Sequence, residues 1–122
     1  MAALNSGNFI NSTNTSTSAA APLIRNVVTT SLPGSATISW TTDEAATGKV
    51  FFSTSPLQVY ETWTDAIVTG AQVASQDNTY KNSQSLTIPN LARNTTYYYM
   101  IYVVDQNGNV SVTDPRNIFL TN

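Results

Sequence analysis

The 122-residue chain has no cysteine and no histidine, and only 10% of its residues are charged. Without cysteine there can be no disulfide and no thiolate zinc site, although export stays open. Without histidine the chain lacks the side chain most used as a general base, as the orienter of a nucleophile and as a transition-metal ligand. The five cations, Arg25, Lys49, Lys81, Arg93 and Arg116, are scattered, and the net charge is -2. No basic footprint is present for a phosphate backbone, so nucleic acid is not an expected partner. No apolar run approaches the roughly 20 residues of a membrane span, so membrane insertion is not expected either. Met1 to Ala21 also lacks the basic start and hydrophobic stretch of a signal peptide.

Ser, Thr and Asn fill the place of the missing charges, a bias that suits strands and turns better than ion-paired helices. A chain of this length builds one core and buries roughly two-thirds of the surface it exposes when unfolded. Residues 1–21 are read as a separate polar arm or linker. From Asn5 to Ala21 their only apolar content is Phe9 and Ile10. Composition alone makes this a flexible linker. The sharper alternative is an assembly arm that uses Phe9 and Ile10 to pair with a neighbouring subunit or with its own sheet edge.

From Pro22 to Asn122 the pattern switches to a period of two. Strands are expected over Leu23 to Thr30 and Ser35 to Thr42, the latter with Ala36, Ile38 and Trp40 inward. A connection over Asp43 to Gly48 leads to Lys49 to Thr54, with Val50 and Phe52 on one face and Lys49, Phe51 and Ser53 on the other. The stretch from Ser55 to Ser83 is irregular, with short strands at Ala66 to Val68 and Ala71 to Ala74. Gln84 to Ile88 and Thr96 to Val104 follow, the second being the strongest strand in the chain. Asn107-Gly108 supplies a hairpin turn, and Val110 to Thr113 and Asn117 to Leu120 close the domain. About seven short strands with regular turns and no helical period predict an all-β, immunoglobulin-like antiparallel β-sandwich.

Leu91, Thr95 and Tyr97, in the segment LARNTTY, resemble the tyrosine corner of fibronectin type III domains. SWTTDEAATGKVFFSTS is similar to the second and third strands of bacterial members, and DQNGNVS to their closing hairpin. The chain also resembles the accessory domain of purple acid phosphatases. The resemblance implies fibronectin type III topology, with the Tyr97 hydroxyl bonded back to a backbone group near Leu91. Arg93 stands where the family often has proline. The roles it implies are spacer, adhesion unit or accessory domain, and fold alone does not choose among them.

Little in the sequence points to chemistry, and no enzyme activity, cofactor or metal is expected. The close carboxylates Asp43-Glu44 and Glu61 with Asp65 read as solvated turn residues, since a sandwich of this size offers little cleft for glycosidase work. Asp105, Asn107 and Asn109 alternate like the start of a calcium loop. The loop would need its glycine after Asn109 and an acid at position 116, which is Arg116, so the segment reads as a hairpin turn. A Lys to Asn crosslink would need a buried lysine, whereas Lys49 falls on the outward set. The sequons at Asn11, Asn14, Asn94 and Asn109 are what this composition produces by accident.

The outward aromatics carry the functional expectation. With Tyr97, Tyr99, Ile101 and Val103 inward, Tyr98, Met100 and Tyr102 fall on the opposite face, near Phe51. These four form a candidate partner-binding patch unless the segment containing Tyr60 and Trp63 folds over them. The expected function is a structural or adhesive module of an extracellular or cell-surface assembly, engaging a protein partner or identical subunits, in one version as a filament joined through its N-terminal arm. The alternatives are a carbohydrate-binding module that stacks sugars on Tyr60, Trp63 or the Tyr98 and Tyr102 face, and a virion decoration protein.

Overall fold

A computed structural model of the chain describes residues 21–61 and 65–122, among which every regular element is a strand. Phe9, Ile10 and Trp63 lie outside the described residues. The strands are β1 (Ile24–Leu32), β2 (Ser35–Ser53), β3 (Gln58–Glu61), β4 (Ala66–Thr69), β5 (Gln72–Ile88), β6 (Thr96–Val104), β7 (Val110–Val112) and β8 (Ile118–Leu120). All pairings between them are antiparallel.

Two long strands pass through both layers of the sandwich. Residues 35–42 of β2 lie between β1 and residues 83–88 of β5, which makes the first layer. Residues 46–53 of β2 pair with the start of β5 on one side and with β6 on the other. The far edge of β6 is shared by β7 and β8, which completes the second layer.

The expected connection over Asp43 to Gly48 is therefore not a loop. It is a corner within one continuous strand, marked by a register shift between Thr41 and Ala46 in the pairing with β5. The polar run before Gln84 likewise belongs to β5. The two strands stay adjacent at the corner, where the ladder is interrupted and side chains of β5 take over: the Asn82 amide donates to the Thr42 carbonyl and the Gln84 amide to the Ala46 carbonyl, both at 3.2 Å. The polar side chains of Gln76, Asn78 and Asn82 are exposed, and their poor strand propensity is tolerated there.

The core lies between the layers. Ala36, Ile38 and Trp40 come from the first half of β2 and Val50 from the second, with Leu86 and Ile88 from β5, and Tyr97, Tyr99, Ile101 and Val103 from β6. These are the residues that the period of two places inward. Tyr97 stacks on Phe119, with ring centroids 5.5 Å apart. Its hydroxyl accepts a hydrogen bond from the Ala92 N–H at 2.9 Å, so a polar tip is satisfied while the ring remains buried. At the β6–β7 turn Gly108 takes a φ of 85°, a value open to glycine at little cost.

Candidate functional site

The outer face of the second layer carries the expected aromatic patch, and the structure divides it. Register pairs place Lys49 opposite Tyr102, Phe51 opposite Met100 and Ser53 opposite Tyr98, so all six side chains project to one side of the sheet. Phe51 and Tyr102 meet edge to face, with centroids 6.0 Å apart. The Lys49 ammonium lies over both rings, 4.9 Å from the Tyr102 centroid and 5.5 Å from that of Phe51, a favourable cation–π arrangement. The Tyr102 hydroxyl donates to Asp65. Burial, together with that bond, holds the phenol above its usual range.

Met100 corrects the expectation of a continuous exposed patch. It lies on the outward side, yet its side chain is fully buried and belongs to no part of the main core. Leu57 and Ala66 are also buried outside the main core. The hairpin of β3 and β4 lies on this side of the sheet: β4 runs against β7, and Asp65, the residue before β4, is tied to Tyr102. Met100 cannot meet a partner. Phe51, Tyr98 and Tyr102 are only partly buried.

Within the hairpin the alternation is equally plain. Val59, Ala66 and Val68 fall on one side and are buried or half-buried, while Gln58, Tyr60, Ile67 and Thr69 fall on the other and are exposed. Tyr60 pairs with Ile67, and Gln58 with Thr69. Tyr60 is 75% exposed and Ile67 47%, and with Val59 these residues line a shallow groove of about 350 Å³. Tyr60 is thus displayed by the element that covers Met100. Sequence reasoning named Tyr60 but missed Ile67, Gln58 and Thr69, whose role follows only from the β3–β4 register.

A second constellation lies at the corner of β2. Asp105 is 1% exposed, and its carboxylate accepts the N–H groups of Asn107 and Asn109 at 2.9 Å and the Asn109 side-chain amide at 3.1 Å. The segment read as a hairpin turn is one, organised by this carboxylate. Glu44 lies beside it. Burial first, then Asp105 and Asp43, push the Glu44 carboxyl up to about 7. Among the described residues no group of three or more acidic side chains is arranged to hold a metal ion. No helix there is long and apolar enough to cross a membrane.

Residues 22–118 match the family model described as the purple acid phosphatase N-terminal domain. The chain belongs to this family. No curated protein sequence matches it. A purple acid phosphatase N-terminal domain is an accessory module with a fibronectin type III-like fold, which agrees with the sandwich described above. The matched span begins at Pro22 and includes both the β3–β4 hairpin and the acidic corner.

Proposed function

We propose that this domain is a non-catalytic interaction module of an extracellular or cell-surface assembly, and that it offers the outer side of the β3–β4 hairpin to a protein partner or to identical subunits. One observation carries the reading: Tyr60 and Ile67 stand opposite each other, largely exposed, on a hairpin whose other side is used against the sheet. Tyrosine is enriched where proteins meet because it covers area at low entropic cost. The family description supports an accessory role beside an enzyme, and a chain without histidine or cysteine has few means for chemistry of its own.

The test compares the full chain with a Tyr60→Ser, Ile67→Ser double variant by small-angle scattering over a concentration series. Self-association through this surface predicts growing particles for the natural sequence and constant ones for the variant. Equal, concentration-independent monomers would remove identical subunits from the reading. A carbohydrate ligand is the second reading, favoured because Gln58 and Thr69 set an amide and a hydroxyl on the same side of the hairpin as the Tyr60 ring. A glycan array with no signal above that of Tyr60→Ala would end it.

A further inference from the structure

Among the described residues β1 pairs with β2 alone, so it is an edge of the first layer, and an edge offers its outward N–H and C=O groups to any strand that reaches it. Two contacts from the second layer close its ends. The Ser111 hydroxyl of β7 donates to the Pro22 carbonyl just before β1, and the Asn122 side-chain amide donates to the Ser31 carbonyl at 2.9 Å. Near its start β1 also carries a register shift between Arg25 and Val28, with Asn26 at a φ of 55°. The regular part of the edge left between these closures is short, residues 28–30. Because the Ser31 carbonyl points away from β2, the alternation of a strand turns the Thr29 N–H and carbonyl the same way, and those of Thr30 toward β2.

The side chains along this window are poorly guarded. Val28, Thr30 and Leu32 are exposed on the outer face, Val28 by 55% and Leu32 by 51%, while Thr29 and Ser31 turn inward and are half-buried. Arg25 is the one charged residue of β1, and it lies before the register shift. Proteins blunt an edge with charge, with proline or with a covering segment. Residues 28–32 contain neither charge nor proline, which leaves the cover.

We propose that the chain's own N-terminal arm is that cover: residues around Phe9 and Ile10 fold back antiparallel onto residues 28–30 of the same molecule, as a guard strand on the first layer. The arm, residues 1–21, has no charged side chain, so nothing in it resists pairing along an edge. Phe9 and Ile10 are consecutive, and a strand sends consecutive side chains to opposite faces. With Phe9 beside Thr30 and Ile10 beside Thr29, Phe9 sits on the outer face between Val28 and Leu32, and Ile10 turns inward. Ser111 occupies the Pro22 carbonyl, which rules out a tight hairpin there, so the return is a loop. Residues 11–21 reach about 36 Å when extended, against about 23 Å of β1 to be retraced from Pro22 to Thr29. Tethering gives the arm an effective concentration on the order of mM at its own edge, above that of an arm from another molecule in dilute solution. The inference does not rest on the β3–β4 hairpin, and none of its residues lines the Tyr60 and Ile67 surface.

The experiment is amide hydrogen exchange by NMR on the full chain and on a Phe9→Ser, Ile10→Ser double variant, at two protein concentrations. The guard strand predicts a Thr29 amide that exchanges roughly tenfold more slowly in the natural sequence than in the variant, by the same factor at both concentrations. The Thr30 amide, which faces β2, should be equally protected in both chains. Val28→Ser, which leaves the arm intact and removes part of its seat, should have the same selective effect on Thr29. Thr29 exchange that is indifferent to both changes would overturn the proposal. Protection of Thr29 that grows with protein concentration would overturn it as well, by giving the edge to the arm of a second copy. So would equal losses at Thr29 and Thr30 in both variants, which would mean that β1 itself frays.

Discussion

A Cβ placed on Gly48 would lie 2.7 Å from Cζ2 of the Trp40 ring and 3.3 Å from the side-chain amide carbon of Gln84. Trp40 and Gln84 are partners across β2 and β5 and are both buried, so neither has free space to yield. Gly48→Ala should therefore cost about 1–3 kcal/mol, the range for overpacking a filled core, as read from the midpoint of a urea melt. A loss below about 0.5 kcal/mol would mean that the indole slides aside. The sequence around Gly48 carries no sign of this requirement, because a residue on the other arm of the same bent strand imposes it. Tyr97 is the opposite case. Its hydroxyl partner is the backbone of Ala92, so a local segment contains both ends of the bond and the motif can be read directly.

The elements show why one face of β6 was legible and the other was not. Alternation sorts Tyr97, Tyr99, Ile101 and Val103 from Tyr98, Met100 and Tyr102, and the first set is indeed buried. It says nothing about what lies over the second set. Coverage depends on the β3–β4 hairpin, whose position is fixed by contacts such as Tyr102 to Asp65 that join distant parts of the chain. A direct comparison follows. Met100→Ala should cost about 2–5 kcal/mol, as for a large apolar side chain removed from a filled site, while Tyr98→Ala should cost less than about 1.5 kcal/mol. Equal losses in denaturant melts would place both side chains in the same environment and contradict the hairpin's cover. The hairpin's own outer side was half-legible: Tyr60 stands out in the sequence as an aromatic in a polar stretch, whereas Ile67 gains meaning only as its partner.

At the scale of the whole molecule, fold class and most strand positions were legible because each strand carries its own period and its own turns. The continuity of β2 and β5 was not, since propensity breaks both strands at their polar middles and only their mutual pairing carries them through. That pairing also sets an order of events for folding. The ladder is shortest in sequence at Phe52 with Gln72 and longest at Ala36 with Ile88, a closure more than twice as long, and each doubling of a loop adds about 0.6 kcal/mol of entropic cost. Zippering should start at the Phe52 end and reach the first layer last. Val50→Ala should then slow refolding, with a φ-value above about 0.5, while Leu86→Ala should mainly speed unfolding. The reverse pattern in stopped-flow chevrons would place the nucleus in the first layer. A strand that belongs to both layers thus acts as the clock of the fold: the second layer is early, and the first layer waits for the corner to be turned.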